Sequence, residues 1–367
     1  RFQEFEDLIL SSKSAGISLK RPRAGSGSMA EQKLKIGVVG ATGMVGQSFM
    51  QTLEQRRFPV AELRPFASEN SLGKSIQLQG RSFPIQVLKP GCFKGLDLVF
   101  FSSGDDISKE WAPRAVEEGA WAVDNSAAFR MDEKIHLVVP EVNGDLLDRE
   151  QGPQIIANPN CSTIQLVVAL EPLNQKFGIE RVHVASYQAV SGAGLPAHDE
   201  LLEQVTGYKS NPNPPAKNFP HPIVFNCIPH IGSFNDLGFS SEEMKVMKET
   251  RKIMRAPHIS VSAFTVRVPV LNAHAEVAWV RLKSKVDRES ILNAWKEAPG
   301  LVIQDDPKSS LYPMQRTASG QDPVYVGRLH QDLDDPQTWL MWIVADNIRK
   351  GAALNGIQIA ERIFDIR

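Results

Sequence analysis

The stretch Lys35-Ile36-Gly37-Val38-Val39-Gly40-Ala41-Thr42-Gly43-Met44-Val45-Gly46 decides how the rest of the chain is read. An apolar, strand-like run over Leu34–Val39 meets a helical pattern over Met44–Arg56 through three glycines, each separated by two residues. Gly40 permits a tight turn, Gly43 lets a pyrophosphate approach backbone at the helix N-terminus, and Gly46 lets helix and strand pack closely. Gly40, Ala41, Thr42, Gly43, Met44, Val45 and Gly46 are therefore the expected dinucleotide cradle. Taken alone, the motif also fits an ordinary strand-to-helix turn that binds no nucleotide.

Further along, strand-like runs at Leu96–Phe101 and Trp121–Val123 alternate with a helical stretch at Ser108–Glu118, which implies a parallel sheet. After the strand that ends near Phe66-Ala67, an NAD enzyme usually places an acidic residue on the ribose 2′-hydroxyl. Here stand Ser68, Glu69, Asn70, Ser71 and Lys74. Hydroxyls and a lysine suit a 2′-phosphate, so NADP is favoured, with Ser68 and Ser71 as contacts; Glu69 is the residue that argues for NAD. Past a connection at Ile155–Pro159, a helix is expected from Cys161 to about Gln175, followed by the alternating Val182, Val184, Ser186, Gln188 and Val190. Val261–Val270 and Ala275–Leu282 read as strands around a turn at Asn272-Ala273, and Ser241–Met254 has helical charge spacing, so the middle of the chain reads as α+β. Asn211–Pro222 reads as a surface loop and Asp346–Ile363 as a terminal helix.

Composition narrows the function classes. The chain has 367 residues, 42% hydrophobic and 23% charged, which excludes a mainly disordered protein and suggests two domains. Forty-one basic residues against 42 acidic ones, with no block of one sign, argue against a nucleic-acid partner. The longest apolar runs, Leu96–Phe101 and Trp339–Ala345, fall short of the roughly 18–20 residues of a membrane helix, so a soluble protein is expected. Three cysteines, Cys92, Cys161 and Cys227, form neither a disulfide framework nor a zinc pattern, so no metal is expected and a reducing cytoplasm fits. Residues 1–28 end in Arg21-Pro22-Arg23-Ala24-Gly25-Ser26-Gly27-Ser28 before Met29 and read as a flexible leader ahead of a natural start. A signal peptide is the rival reading, but Leu8-Ile9-Leu10 is too short for its apolar region.

One thiol stands apart. Asn158-Pro159-Asn160-Cys161-Ser162-Thr163 sets Cys161 on the first turn of a predicted helix, where the dipole and free amides stabilise a thiolate. A thiolate beside a nicotinamide suits an aldehyde: attack gives a thiohemiacetal, hydride leaves to the cofactor and a thioester remains. A structural cysteine is the alternative at such a position. Cys92 and Cys227 lack helix-start signals and read as structural.

These motifs, with Ser126–Arg130, Tyr187–Gly194, Glu242–Lys245 and Arg267–His274, resemble the aspartate-semialdehyde dehydrogenase family from about Leu34 to the C-terminus. The resemblance implies a Rossmann-type doubly wound parallel sheet, residues 29–157 plus 346–367, beside an α+β catalytic and dimerisation domain, residues 158–345. It implies reversible, NADP-dependent conversion of L-aspartate 4-semialdehyde and inorganic phosphate to 4-aspartyl phosphate, which feeds lysine, threonine, methionine and isoleucine synthesis, in a homodimer. By the same resemblance Cys161 is the nucleophile, Gln188 orients the acyl group, and His274 is the general acid/base, a role suited to an imidazole that titrates near working pH. Arg267 holds the substrate carboxylate and Glu242 the ammonium, with Glu243 close enough to compete for that role. Arg130, Asn160 and Lys245 are the implied phosphate donors, and Ser191 and Gly192 the further cofactor contacts. Without the resemblance, His274 reads as a structural histidine, and the run around Glu242 and Lys245 as a solvated helix face. N-acetyl-glutamyl-phosphate reductase shares this logic but lacks a free ammonium, so Glu242 argues against it. A silent nucleotide-binding relative is the other alternative, and it would not need Cys161, Gln188, Arg267 and His274 together.

Overall fold

A computed structural model describes residues 33–366; the leader expected over residues 1–28 lies outside them. The glycine-rich stretch forms β1 (Leu34–Val39), a turn and α1 (Met44–Gln55). Strands β2 (Val60–Phe66), β5 (Leu98–Phe101), β6 (Trp121–Asp124), β7 (His136–Leu137) and β8 (Ile155–Ala157) join β1 in a six-stranded sheet, ordered β2-β1-β5-β6-β8-β7 and parallel throughout. A hairpin of β3 (Ser75–Leu78) and β4 (Arg81–Pro84) lies outside it. Apart from Lys35, β1 is buried along its length, as a strand covered on both faces must be. Phe49 and Leu53 of α1 pack on one face with Phe100, Val123 and Ile357. Trp111, Ala112 and Ala115 of α2 (Asp105–Glu117) pack on the other with Val99 and Phe101. Helices on both faces make this a doubly wound α/β layer.

The second sheet is mixed. Strands β9 (Ile179–Gln188), β10 (Ser260–Arg267), β11 (His274–Leu282), β12 (Leu301–Ile303), β13 (Val324–Gln331) and β14 (Thr338–Ala345) take the order β10-β9-β11-β14-β13-β12. β9 runs parallel to β10 and antiparallel to β11, which is antiparallel to β14. Burial alternates along β10 because only one face is covered. The covering helices include α3 (Cys161–Phe177), α5 (Ser241–Ile253) and α6 (Arg288–Glu297), and their core contacts include Ile164, Leu170, Val246 and Trp295. Tyr187 and Phe264 remain exposed.

Two helices escape the sequence reading. α4 (Leu195–Gly207) starts on Leu195-Pro196 after Gly194 at φ 89°, a Gly-Pro context that looks like a loop although proline is welcome in a first helical turn. α6 starts from Asp287, whose carboxylate accepts the Ser290 N–H. The terminal helix expected over Asp346–Ile363 is also different: Asp346 accepts the N–H groups of Ile348 and Arg349, a widened π turn runs over Arg349–Ala353, and α7 (Leu354–Ile363) follows. Gly351 in that wide turn lies against Cys161, where a Cβ would come 2.9 Å from the cysteine's own. No helix among the described residues is long and apolar enough to cross a membrane.

Candidate active site

The glycine turn, the start of α3 and the ends of β9 and β10 converge on one cavity of about 800 Å³. From the first sheet, Gly43, Met44 and Val45 line it, with Ser102, Asp105, Asn125 and Ser126. Gly40 (φ 81°) and Gly46 shape the turn instead: a Cβ on Gly46 would stand 2.2 Å from the Gly40 carbonyl oxygen. Ala41 is buried, and the Thr42 carbonyl accepts from Gln47. No side chain caps α1, so the amides of its first turn are available to an anion, which fits a pyrophosphate there. Ser68 and Ser71 sit on a 3₁₀ turn just past β2 and do not line the cavity.

Cys161 is the first residue of α3 and lines the cavity half-buried. The free amides expected beneath its sulfur are not free. Asn160 is the N-cap, and its Oδ1 accepts the Ser162 and Thr163 N–H groups at 3.0 and 3.2 Å. Burial, then the charge of Glu242, push the thiol up to about 12, against the opposing pull of Arg130, Arg267 and the Ser162 N–H, which Asn160 shares. In this geometry the cysteine rests as a thiol, which corrects the expectation of a helix-stabilised thiolate.

Around it, Glu242 gathers the polar side chains. Its Oε1 accepts from Asn160 Nδ2 at 2.8 Å and Gln188 Nε2 at 3.3 Å, and its Oε2 faces Lys245 Nζ at 3.5 Å. Gln188 also donates to Ser162 Oγ at 2.6 Å. Glu243, the competitor for the ammonium, is committed elsewhere: it closes a capping box with Ser240 and accepts the Thr265 N–H. Of the two neighbours only Glu242 faces the cavity. Arg267, 5% exposed, donates to the Ala189 carbonyl at 2.6 Å and lines the cavity, with burial as the main influence lowering its pKa.

The implied phosphate donors divide. Lys245 lines the cavity as a partly exposed ammonium, so it is not a mere surface charge. Arg130 also lines it, yet three of its N–H groups already serve Asn158 O, Asn125 O and Glu249 Oε1. The Asn160 side chain is engaged at both ends by the helix cap and Glu242. Glu249, which also accepts the Asn160 N–H, is buried and its carboxyl is raised by that burial.

His274, at the start of β11, is fully buried under Gly192. A Cβ on Gly192 would lie 3.0 Å from His274 Nε2 and 2.8 Å from Arg267 Nη1, so only glycine leaves both groups reachable. The Ala189 N–H donates to His274 Nδ1 at 3.0 Å, which assigns the proton of the neutral ring to Nε2. Nε2 itself meets no partner. Burial first and Arg267 second push this imidazole down to about 3, a correction to the expectation that it titrates near working pH. Ser191 and Gly192 line the cavity as expected.

Asn347 is a residue the sequence reading passed over. Asn347 lines the cavity; its Oδ1 accepts from Ser191 Oγ and the Ala273 N–H, while its Nδ2 is buried without a partner. Its only sequence signal was a polar pair, Asp346-Asn347, ending the apolar run Trp339–Ala345.

Known proteins match along nearly the whole chain. The family described as semialdehyde dehydrogenase, NAD binding domain, matches residues 35–149, and the semialdehyde dehydrogenase dimerisation domain matches residues 170–350. Aspartate-semialdehyde dehydrogenase of Aquifex aeolicus is 46% identical over 89% of this chain and 97% of that protein; the Bacillus subtilis enzyme is 44% identical over 90% and 97%. Among solved structures, aspartate semialdehyde dehydrogenase II of Vibrio cholerae, complexed with ASA, superposes with a TM-score of 0.88 at 40% identity, covering 92% of this chain and 99% of that one. The Candida albicans enzyme with NADP gives 0.70 at 27% identity, covering 90% and 98%. By these matches the chain belongs to the aspartate-semialdehyde dehydrogenase family and is an oxidoreductase of that family.

Proposed function

We propose that this protein catalyses the reversible, NADP-dependent and phosphate-requiring oxidation of L-aspartate 4-semialdehyde to 4-aspartyl phosphate through a thioester on Cys161. The observation that carries the reading is the convergence of Cys161, Gln188, Glu242 and Arg267 on a cavity that the glycine turn also lines. Arg267 and Glu242 offer the two charges that the carboxylate and ammonium of an amino acid require. Cys161 attacks the aldehyde carbon and its thiol proton passes to the carbonyl oxygen, giving a neutral thiohemiacetal whose hydroxyl proton leaves to solvent as the hydride departs and the thioester carbonyl forms. His274, with its proton on Nε2, donates a hydrogen bond to the oxygen that develops charge, a role for which a neutral buried imidazole is suited. Gln188, fixed by Ser162 and Glu242, holds the acyl group. NADP, when bound on the uncapped start of α1, supplies the hydride acceptor. Phosphate, drawn by Lys245 and Arg130, then attacks the thioester carbonyl and releases the thiolate.

In this reading residues 29–157 and 346–367 bind the nucleotide, with Ser68 and Ser71 at its ribose phosphate. Residues 158–345 carry the chemistry and the contacts of a homodimer, in a reducing cytoplasm. The product's place in lysine, threonine, methionine and isoleucine synthesis belongs to the same proposal.

The test is phosphate-dependent reduction of NADP with L-aspartate 4-semialdehyde, run beside Cys161→Ala and beside N-acetyl-glutamate semialdehyde. Turnover of the first substrate alone is expected, with loss of about a thousandfold or more in the variant and nucleotide binding retained. Turnover of only the acetylated aldehyde would overturn the assignment of Glu242.

A further inference from the structure

Behind the catalytic side chains lies a second polar layer. Cys161, Gln188 and His274 each have a buried polar neighbour on the same element: Gln165 four residues after Cys161 on α3, Ser186 two before Gln188 on β9, and Glu276 two after His274 on β11. One helical turn and two strand steps each keep the same face, so the three continue the catalytic row toward the core. In the β9–β11 ladder Glu276 stands opposite Ser186. The Gln165 amide lies beside the Glu276 carboxyl. Glu276, Gln165 and Ser186 are 0%, 1% and 3% exposed. Yet five of their polar atoms, Gln165 Oε1 and Nε2, Ser186 Oγ and both Glu276 oxygens, reach no hydrogen-bond geometry.

Such a layer is expensive. An unpaired buried polar atom is costly, and apolar side chains of the same shape would avoid that cost. None of the reaction steps above uses these groups. The titratable group that acts on Glu276 is Glu242 from α5; His274 lies two residues before it on β11, Cys161 lies one turn before Gln165 on α3, and across the β11–β14 ladder Glu276 meets Ile343. Burial pushes the Glu276 carboxyl up to about 8, with the Gln165 amide pulling back and the charge of Glu242 adding to the rise. At neutral pH it therefore holds a proton to donate.

We propose that Glu276 is a positioning residue whose carboxyl group, lying beside Gln165 and opposite Ser186 and able to pair with both, fixes the turn of α3 carrying Cys161 and the strand end carrying Gln188. The three inventories complement one another: a protonated carboxyl offers one O–H and an acceptor oxygen, the amide offers both kinds, and the serine hydroxyl offers both. When Glu276 ionises it loses its donor and sets a second negative charge near Glu242 behind the thiol. Turnover then falls on the alkaline side, and Cys161 becomes harder to ionise. The proposal rests on the assignment of Cys161, Gln188 and His274 to the chemistry.

Two variants and two readouts test it. Glu276→Gln keeps shape and hydrogen bonding without the titration, whereas Glu276→Met keeps size alone. Turnover would be followed from about pH 6 to 10, and the alkylation rate of Cys161 measured without substrate on its own peptide by mass spectrometry. Glu276→Gln is expected to keep kcat near neutrality within about twofold, to lose the alkaline decline and to move Cys161 alkylation to lower pH. Glu276→Met is expected to lose about tenfold to a hundredfold in kcat with little change in KM. A Glu276→Gln protein that retains both parental pH profiles overturns the proposal, as does a Glu276→Met protein with parental kcat. Should Glu276→Met fail to fold, Glu276→Gln decides. A parent that does not turn over the semialdehyde would sink the functional reading, while the alkylation profiles would still decide the role of Glu276.

Discussion

Two helix N-termini open on the same cavity, and they differ in one respect. The first turn of α1 has no side-chain cap, whereas at α3 the Asn160 carboxamide takes the amides of Ser162 and Thr163. A helix start attracts an anion through unpaired N–H groups as well as through its dipole. At α1 no side chain takes those groups; at α3 the cap takes the Ser162 and Thr163 amides, the former shared with the sulfur, and Cys161 rests as a thiol. The lesson is that an anion site at a helix end depends on what the N-cap residue does with its side chain. At α3 the capping residue also ties Glu242 into place, so the same asparagine rigidifies the helix start and the charged wall of the cavity.

The comparison can be broken on the α3 side without touching α1. Gly192→Val would drive a side chain into the space beside His274 Nε2 and Arg267 Nη1. Turnover is expected to fall about a hundredfold while nucleotide affinity, read by fluorescence titration, falls by no more than about tenfold, the share that Gly192 has as a cofactor contact. An equal loss of both would mean that the two helix ends do not function separately.

A second measurement uses the buried imidazole. The ordinary histidine pKa of 6.5 falls to about 3 in the folded protein. Between those values the unfolded chain binds a proton that the native state refuses. Stability is therefore retained above about pH 6.5 and lost as pH falls toward 3, with a slope approaching about 1.4 kcal/mol per pH unit for this proton. Chemical denaturation across that range should show a shallower acid loss in His274→Asn than in the parent.

The smallest effect sharpens the comparison most. Asn160→Ala would remove the cap and make the start of α3 resemble that of α1. Stability should drop by about 1 kcal/mol, and the pH midpoint of Cys161 alkylation should move down as the Ser162 amide, which Asn160 shares in the parent, is left to the sulfur alone. An unmoved midpoint would show that burial and Glu242 alone set the thiol.

Much of the architecture was legible because it is locally encoded. The apolar run Leu34–Val39, the spacing of Gly40, Gly43 and Gly46, and the helix start at Cys161 each depend on residues within a few positions of one another. Helix α4 was hidden by its Gly-Pro start, and Asn347 by its place in an apparent helix. The choice of Glu242 over Glu243 came from the resemblance and not from the residues themselves, since it turns on Ser240 and Thr265, the latter on a different element.

Periodicity, turn chemistry and the identity of the reactive side chains are therefore properties of the chain itself, set by which backbone angles and faces short segments allow. Protonation states and hydrogen-bond commitments are set by folding alone. Cys161 answers to Glu242 and Arg267, His274 to Ala189 and Arg267, and Glu276 to its burial, Gln165 and Glu242. Most of these partners lie tens to over a hundred residues apart, and burial and charge act through space, along distances that only the packed structure establishes.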